Sequence, residues 1–518
     1  MTSQFKGLIF DLGGVLLDWD PKGVTMLSSS HLRLIMHSTV WHELDRSNIS
    51  LDQACEQFSG IIDVEASVIK ESLNQAQDTL APNTQMTRML GDLKTLNPDL
   101  QLYVMSNISQ EHFEVVKNLN IPWSLFNRTF VSGHAGMRKP DLCFFKHVIE
   151  EIGCHPNELI MVDDQAGNIC AARSLGIHGL LMPEKALTSI VCQELRNLVQ
   201  SAIPRAEAYL KANSGQHHCV VEGHDVILKD NFAQLLIWEI TRDADIIYLN
   251  HVNGHVKGHM NGHMNGHMSG HSIKRKTTLH NNVKNGLWSY FYDEPILTTK
   301  EFPADADTTS TAYLALPESY LSEVADVHLV LDKMASNRDA EGIMQTYFCD
   351  DRPRTSPEVC VNILRAFYRF GRGGDPRIRK TEEWVVQCLE NRACLYGNRV
   401  YSTPETFLYF TARLYAECGE GVLKERLHSV KEALYERINT PTNPLSLALR
   451  VSSCQIVALE PVLYQQDLKR LTSLQEQDGG FPAGHFCCIG RTGARIGNRG
   501  LTTALAVKIL RHEEGLRV

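Results

Sequence analysis

Two carboxyl groups stand two residues apart in Asp305-Ala306-Asp307-Thr308-Thr309, with two hydroxyl side chains directly after them. Protonating a carbon–carbon double bond needs a strong acid that stays protonated until it is used. A lone buried carboxyl is protonated but weak, because burial raises its pKa. A second carboxyl or a hydroxyl that hydrogen-bonds the conjugate base eases release of the proton. Ala306 is small enough to let a substrate approach. Pro303 precedes the motif, and Ser310-Thr311-Ala312-Tyr313-Leu314-Ala315-Leu316 reads as helix. The motif is therefore expected at a helix N-terminus, where Asp and Thr are also ordinary capping residues.

A second set of residues, far earlier in the chain, suits phosphoryl transfer. Asp11 ends the apolar run Gly7 to Phe10 and is followed by Gly13 and Gly14. Ser106 and Asn107 end the run Leu102 to Met105, and Asp163 and Asp164 end Leu159 to Val162. Lys139 lies in Met137-Arg138-Lys139-Pro140. A carboxylate can attack phosphorus and form an aspartyl-phosphate. Further carboxylates hold Mg²⁺, which neutralises phosphate oxygens. A serine hydroxyl and a lysine ammonium hold the remaining charge. Each residue alone is weak, since an Asp at a strand end is often only a cap. The set, in this order and at these strand ends, is strong.

The elements that must position these groups follow from the pattern. Short apolar runs alternating with amphipathic stretches predict a parallel sheet with ligands at the strand carboxyl ends. The roughly 80 residues between the first two strands are too long for one crossover, so an inserted helical cap is expected at about residues 17–95. Beyond about Pro183 the strand pattern fades, residues 184–212 read as a helical connector, and the remainder reads as an all-α domain. The fold class expected is thus α/β plus all-α, with domains at 1–215 and 216–518. From Asn250 to His271 a Gly-His pair recurs every four residues. Histidine at that spacing suits a metal. Gly at nearly every fourth position favours a low-complexity loop at 250–272.

The bulk numbers exclude other classes. Hydrophobic residues make up 43% and charged residues 21%, ordinary for a soluble globular chain of several domains. A net charge of -9 speaks against a nucleic-acid binder held by a global positive field. No apolar run is long enough to span a bilayer, and the start lacks a signal-peptide pattern. Scattered cysteines without repeated CxxC pairs fit free thiols in a reducing compartment, so a cytoplasmic location is expected.

Residues 5–185 resemble the haloacid dehalogenase (HAD) superfamily of phosphatases. The resemblance rests on Phe10-Asp11-Leu12-Gly13-Gly14-Val15, Ser106-Asn107, Gly136-Met137-Arg138-Lys139-Pro140 and Val162-Asp163-Asp164-Gln165-Ala166-Gly167-Asn168. It implies Asp11 as nucleophile, Mg²⁺ as cofactor, and Asp11, the Gly13 carbonyl, Asp163 and Asp164 around the metal. Ser106, Asn107 and Lys139 would bind phosphate. The chain departs from the commonest pattern at Gly13, where the superfamily usually has the Asp that acts as general acid. Asp18 and Asp20 are weak candidates to replace it. A leaving phosphate needs less acid help than a leaving alkoxide.

Residues 225–518 resemble the β domain of class II terpene cyclases, an α-helical barrel. The resemblance rests on the DxDTT motif, a variant of the wider family's DxDD, and on Gln477-Asp478-Gly479-Gly480-Phe481, which is similar to the glutamine/aromatic repeat of triterpene cyclases. The combination with a HAD domain is similar to drimane-type sesquiterpene synthases. It implies farnesyl diphosphate as substrate, Asp307 as proton donor, and Asp305 and Thr308 as its activators. Cyclisation would be followed by dephosphorylation to a monophosphate or an alcohol. Arg352, Arg354, Arg491, Arg495 and Arg499 are candidates for holding the diphosphate. Among Trp288, Phe291, Tyr313, Tyr347, Phe348, Phe367, Tyr368, Phe407, Tyr409 and Phe481, a minority is expected to line a pocket where ring faces stabilise cations. Two alternatives stand beside this reading: a phosphatase whose helical half only binds a prenyl chain, and a scaffold with decayed sites.

Overall fold

The computed structural model describes residues 5–249, 285–490 and 492–516. The His-Gly tract and Arg491 lie outside them. The chain divides into two compact units, Met1–Ser201 and Ala202–Val518. The division falls ahead of helix Ala202–Ala212, whereas the sequence reading set the boundary after residue 215. That helix buries Ile203, Ala206, Tyr209 and Leu210 in the core of the second unit.

The first unit is built on a five-stranded sheet in the order Arg128–Val131, Gln101–Ser106, Gly7–Phe10, Leu159–Asp163, His178–Leu181. All neighbours are parallel, and Phe10 stands in register with Val104 on one side and Val162 on the other. The central strand Gly7–Phe10 is buried throughout, as a strand covered on both faces must be. This register brings Asp11, Ser106 and Asp163 to one edge. Helices Ser29–Met36, Thr39–Asp45, Leu51–Ile62 and Ala66–Asp78 form the cap, which has its own core around Leu32, Ile35, Phe58 and Ile69. The cap is entered and left through the paired segments Leu17–Asp18 and Ala81–Pro82. Helix Thr84–Leu96, inside the expected cap span, instead turns Met86, Met89, Leu90 and Leu93 into the core of the sheet.

The second unit contains a closed ring of six helices: Asn231–Thr241, Ala306–Ala315, Pro357–Arg369, Pro404–Glu417, Pro444–Ile456 and Arg499–Leu516. Each packs on the next and the last returns to the first. Helices inside such a ring have no solvent face, and all ten residues of Ala306–Ala315 are buried. Outer helices such as Val327–Ser336, Arg379–Glu390 and Pro461–Ser473 pack against this ring. One feature differs from the all-α expectation. A small antiparallel sheet runs in the order Cys487–Cys488, Arg495–Gly497, Cys219–Val221, His224–Leu228. Its strands are two to five residues long, and it joins segments far apart in sequence.

Candidate active sites

In the first unit, the Asp11, Asp163 and Asp164 carboxylates bring one oxygen each to within 4.8 Å of one another. Lys139 Nζ sits 2.9 Å from Asp11 Oδ1 and 2.6 Å from Asp163 Oδ2, with the lysine and Asp163 fully buried. Asp163 is further fixed through Oδ1, which accepts from the Gln165 N–H at 2.8 Å and the Asn168 amide at 2.9 Å. Burial pushes the Asp11 carboxyl up to about 7, against the pull of Lys139. Burial lowers the Lys139 ammonium less than Asp11 and Asp163 raise it. Three carboxylates facing one lysine leave excess negative charge and oxygen ligands, the donor set of a hard divalent cation. Mg²⁺ fits that set.

The surrounding backbone is shaped for the cluster. Gly14 has φ +73°, and a Cβ there would lie 2.9 Å from Asp164. Gly13 opens onto free space. Asn107 is engaged at both ends of its amide, donating to the Lys139 carbonyl at 2.8 Å and accepting the Lys139 N–H at 2.7 Å. Its side chain thus sets the lysine loop. Ser106 is buried at the end of its strand. Asp18 pairs with Lys185 at 2.6 Å, and Asp20 accepts the Lys22 N–H. Both carboxylates are therefore engaged in other contacts.

In the second unit, Asp305 is the N-cap of helix Ala306–Ala315, and its Oδ1 accepts the Thr308 N–H at 2.6 Å. Its Oδ2 accepts the Thr308 hydroxyl at 3.0 Å. Asp307 is held by other groups. Asn362 donates to its Oδ1 at 2.8 Å, and the Tyr401 hydroxyl donates to its Oδ2 in a short bond. Arg365 donates to Asn362 Oδ1 at 3.1 Å, which turns the Asn362 NH₂ toward Asp307. Arg365 in turn pairs with Glu239 at 2.8 Å and Glu417 at 2.9 Å, and Arg413 also pairs with Glu239. Burial pushes Asp307 up to about 6, while Tyr401, Asn362 and Arg365 hold it down. Burial and the Asp307 charge push Asp305 up to about 7. Asp307 is thus a carboxylic acid near neutrality with its conjugate base already solvated by two donors.

Asp305, Asp307 and Thr308 line a cavity of about 330 Å³, within the roughly 300–1,000 Å³ of small-molecule sites. Its apolar wall includes Phe232, Tyr290, Phe291, Phe302, Tyr347 and Tyr401. Of the ten aromatics named from sequence, Phe291 and Tyr347 line it. The small sheet contributes Leu228, Cys487, Cys488 and Ile496. Arg352, Arg354 and Arg399 also line the cavity, and none of the three forms an ion pair among the described residues. Arg352 lies over the Phe302 ring and Arg354 over the Tyr347 ring. Arg495 and Arg499 are placed elsewhere. Arg495 faces Glu222, and Arg499 pairs with Asp478 and Glu476. The Gln477 to Phe481 turn packs on helix Ala202–Ala212, where a Cβ at Gly479 would meet the Arg205 carbonyl. Tyr401, Asn362 and Arg399 were not singled out from sequence, since no local pattern ties them to the acid motif.

Residues 8–182 match the family described as haloacid dehalogenase-like hydrolase, and residues 203–370 match the sesquiterpene cyclase astC-like C-terminal domain. The chain is similar to drimenol cyclase drtB of Aspergillus calidoustus, at 35% identity over 98% of this chain and 88% of that protein. Its first unit is similar to sesquiterpene phosphatase astK of Aspergillus oryzae, at 36% identity over 38% of this chain and 99% of that protein. A solved HAD family enzyme from Bacteroides thetaiotaomicron, in complex with magnesium and inorganic phosphate, is 23% identical over 34% of this chain and 93% of that one, with TM-score 0.29. With one relative aligned along almost its whole length and each half matching its own family, the chain belongs to the drimane-type sesquiterpene cyclases that carry an N-terminal HAD-like phosphatase domain.

Proposed function

We propose that the protein is a bifunctional enzyme that cyclises farnesyl diphosphate to a bicyclic drimane-type diphosphate by protonation and then removes phosphate from that product. The observation that carries the cyclase half is the buried Asp307, held between Tyr401 and Asn362, in an apolar cavity that also holds three arginines unpaired among the described residues. Asp307 gives its proton to the terminal alkene, at the carbon that leaves the cation tertiary. Tyr401 and Asn362 take up the negative charge left on the carboxylate. Thr308 and Asp305 fix the start of the helix that carries it. The ring faces of Phe232, Phe291, Phe302 and Tyr347 stabilise the moving positive charge without acting as bases. Arg352, Arg354 and Arg399 hold the diphosphate, which stays intact during ring closure.

In the first unit Asp11 attacks phosphorus, and Lys139 and Ser106 hold the phosphoryl oxygens. A magnesium ion held by Asp11, Asp163, Asp164 and the Gly13 carbonyl would neutralise those oxygens. Dephosphorylation yields the monophosphate or the alcohol. All fourteen cysteines are unpaired, and among the described residues no helix is long and apolar enough to cross a membrane. Both features support a cytoplasmic site of action. The test is product analysis after incubation with farnesyl diphosphate and Mg²⁺. Asp11→Asn is expected to accumulate the cyclised diphosphate. Linear farnesol alone from the native enzyme would favour the phosphatase reading, and no product at all the scaffold.

A further inference from the structure

Two inner helices begin in the same way. Ser356-Pro357-Glu358 opens Pro357–Arg369, and Thr403-Pro404-Glu405 opens Pro404–Glu417. Both glutamates are fully buried. Glu405 is neutralised by Arg450 at 2.8 Å and Arg437 at 3.0 Å. Glu358 forms no ion pair among the described residues. Its Oε2 accepts from the Ser356 hydroxyl at 2.7 Å and from the Asn398 amide at 2.7 Å, and its Oε1 accepts no hydrogen bond among the described residues. Asn398 cannot flip without loss, because its Oδ1 accepts the Val400 and Tyr401 N–H groups. Both donors to Glu358 therefore favour its ionised form. Ser356 lines the cavity that holds Asp307. Burying an unpaired carboxylate is costly, and here it stands one hydroxyl behind the cavity wall.

We propose that Ser356 and Glu358 take the proton that ends cyclisation, with Ser356 touching the bicyclic cation and Glu358 acting through it. The C–H bond beside the cationic carbon breaks, and its electron pair becomes the new C=C. The proton passes to Ser356 Oγ as the hydroxyl's own proton moves to Glu358 Oε2. Glu358 ends neutral and Asp307 ends ionised. After product leaves, Glu358 loses its proton to water and Asp307 regains one from it. Burial pushes both carboxyls up, Glu358 to about 7 and Asp307 to about 6, and the two donors on Glu358 Oε2 keep its ionised form available to take a proton.

This inference rests on the cyclase reading above. Its test compares the products and rates of the native enzyme, Ser356→Ala and Glu358→Gln with farnesyl diphosphate. The Ser356 side chain makes no capping bond to its helix, so the alanine variant is expected to keep the helix start while Glu358 retains one donor, Asn398; a thermal melt of the variant checks that it is folded. Loss of a general base is expected to slow cyclisation by roughly 10²-fold. It should also raise the share of isomeric alkenes and of water-captured bicycles, because the cation lives longer. A purely structural role would leave that product ratio unmoved. Native rate and native product ratio in both variants would overturn the inference. Should Glu358→Gln not fold, Ser356→Ala alone decides. Absence of any bicycle from the native enzyme would instead sink the cyclase reading.

Discussion

At the residue scale the acid strength of Asp307, the proposed proton donor, is set by a balance. Burial keeps the proton on, and the Tyr401 hydroxyl and Asn362 amide make its loss tolerable. An acid works while protonated, and this carboxyl is raised to about 6. Ionisation of Asp307 by itself should make the cyclisation rate fall about tenfold per pH unit above about pH 6, and protonation of the proposed base Glu358, raised to about 7, adds a fall on the acid side. Tyr401→Phe removes one donor to the conjugate base. That raises the Asp307 pKa further and makes it a weaker acid. The expected result is a rate lower by roughly tenfold below about pH 6, with the decline above it displaced to higher pH. A pH–rate profile of both enzymes checks the sign. The Asp305–Thr308 contact was legible in the sequence because a helix start brings i and i+3 together, but the hydrogen bonds on Asp307, expected from that pair, come instead from Asn362 and Tyr401. Tyr401 and Asn362 reach the acid only through the packing of different segments, and neither has a local signature.

At the scale of elements, the acid depends on the ring of inner helices. Glu239, Arg365, Arg413 and Glu417 come from three of them and form one ion network, with Glu239 and Arg365 essentially without solvent. The two arginines hold Glu239 down at about 2, overcoming its burial. Removing that carboxylate leaves the two buried arginines with only the part-exposed Glu417 as ion-pair partner among the described residues. Glu239→Ala is expected to cost about 3–5 kcal/mol of stability, read from urea denaturation of the whole chain. It should also release Arg365 and so disturb the orientation of Asn362. The helix start at the acid motif was legible, since Pro303 precedes it and Asp305 is a good capping residue. The small sheet was not. Its strands are too short for a period-2 pattern, and Val221 pairs with Ile496, a partner far along the chain. Three of the five strands of the first unit were legible, because each is a buried apolar run ending in a carboxylate or hydroxyl; Arg128–Val131 and His178–Leu181 are only four residues long and partly exposed, and carry no such signal. The end of the cap was harder to read, since Thr84–Leu96 is as amphipathic as the cap helices and differs only in what it packs against.

For the whole molecule, the two units divide the chemistry by mechanism. On the proposed mechanism one site needs a proton and a dry wall, and the other needs a cation and carboxylates. Their chemical requirements should separate cleanly. Chelation of divalent ions is expected to stop phosphate release, assayed with colorimetric phosphate detection, because the Asp11, Asp163 and Asp164 oxygens would face each other with only Lys139 between them. Protonation at Asp307 needs no metal ligand in its own surroundings, so bicyclic diphosphate should still form under chelation, although more slowly if the diphosphate is normally carried with a cation. The most direct measurement is turnover of farnesyl diphosphate in deuterated water, with mass spectrometry of the bicyclic product. One deuterium at the ring carbon that was the terminal alkene CH, and no bicycle from Asp307→Asn, is the expected result. A bicycle of native yield and labelling from Asp307→Asn would contradict the account.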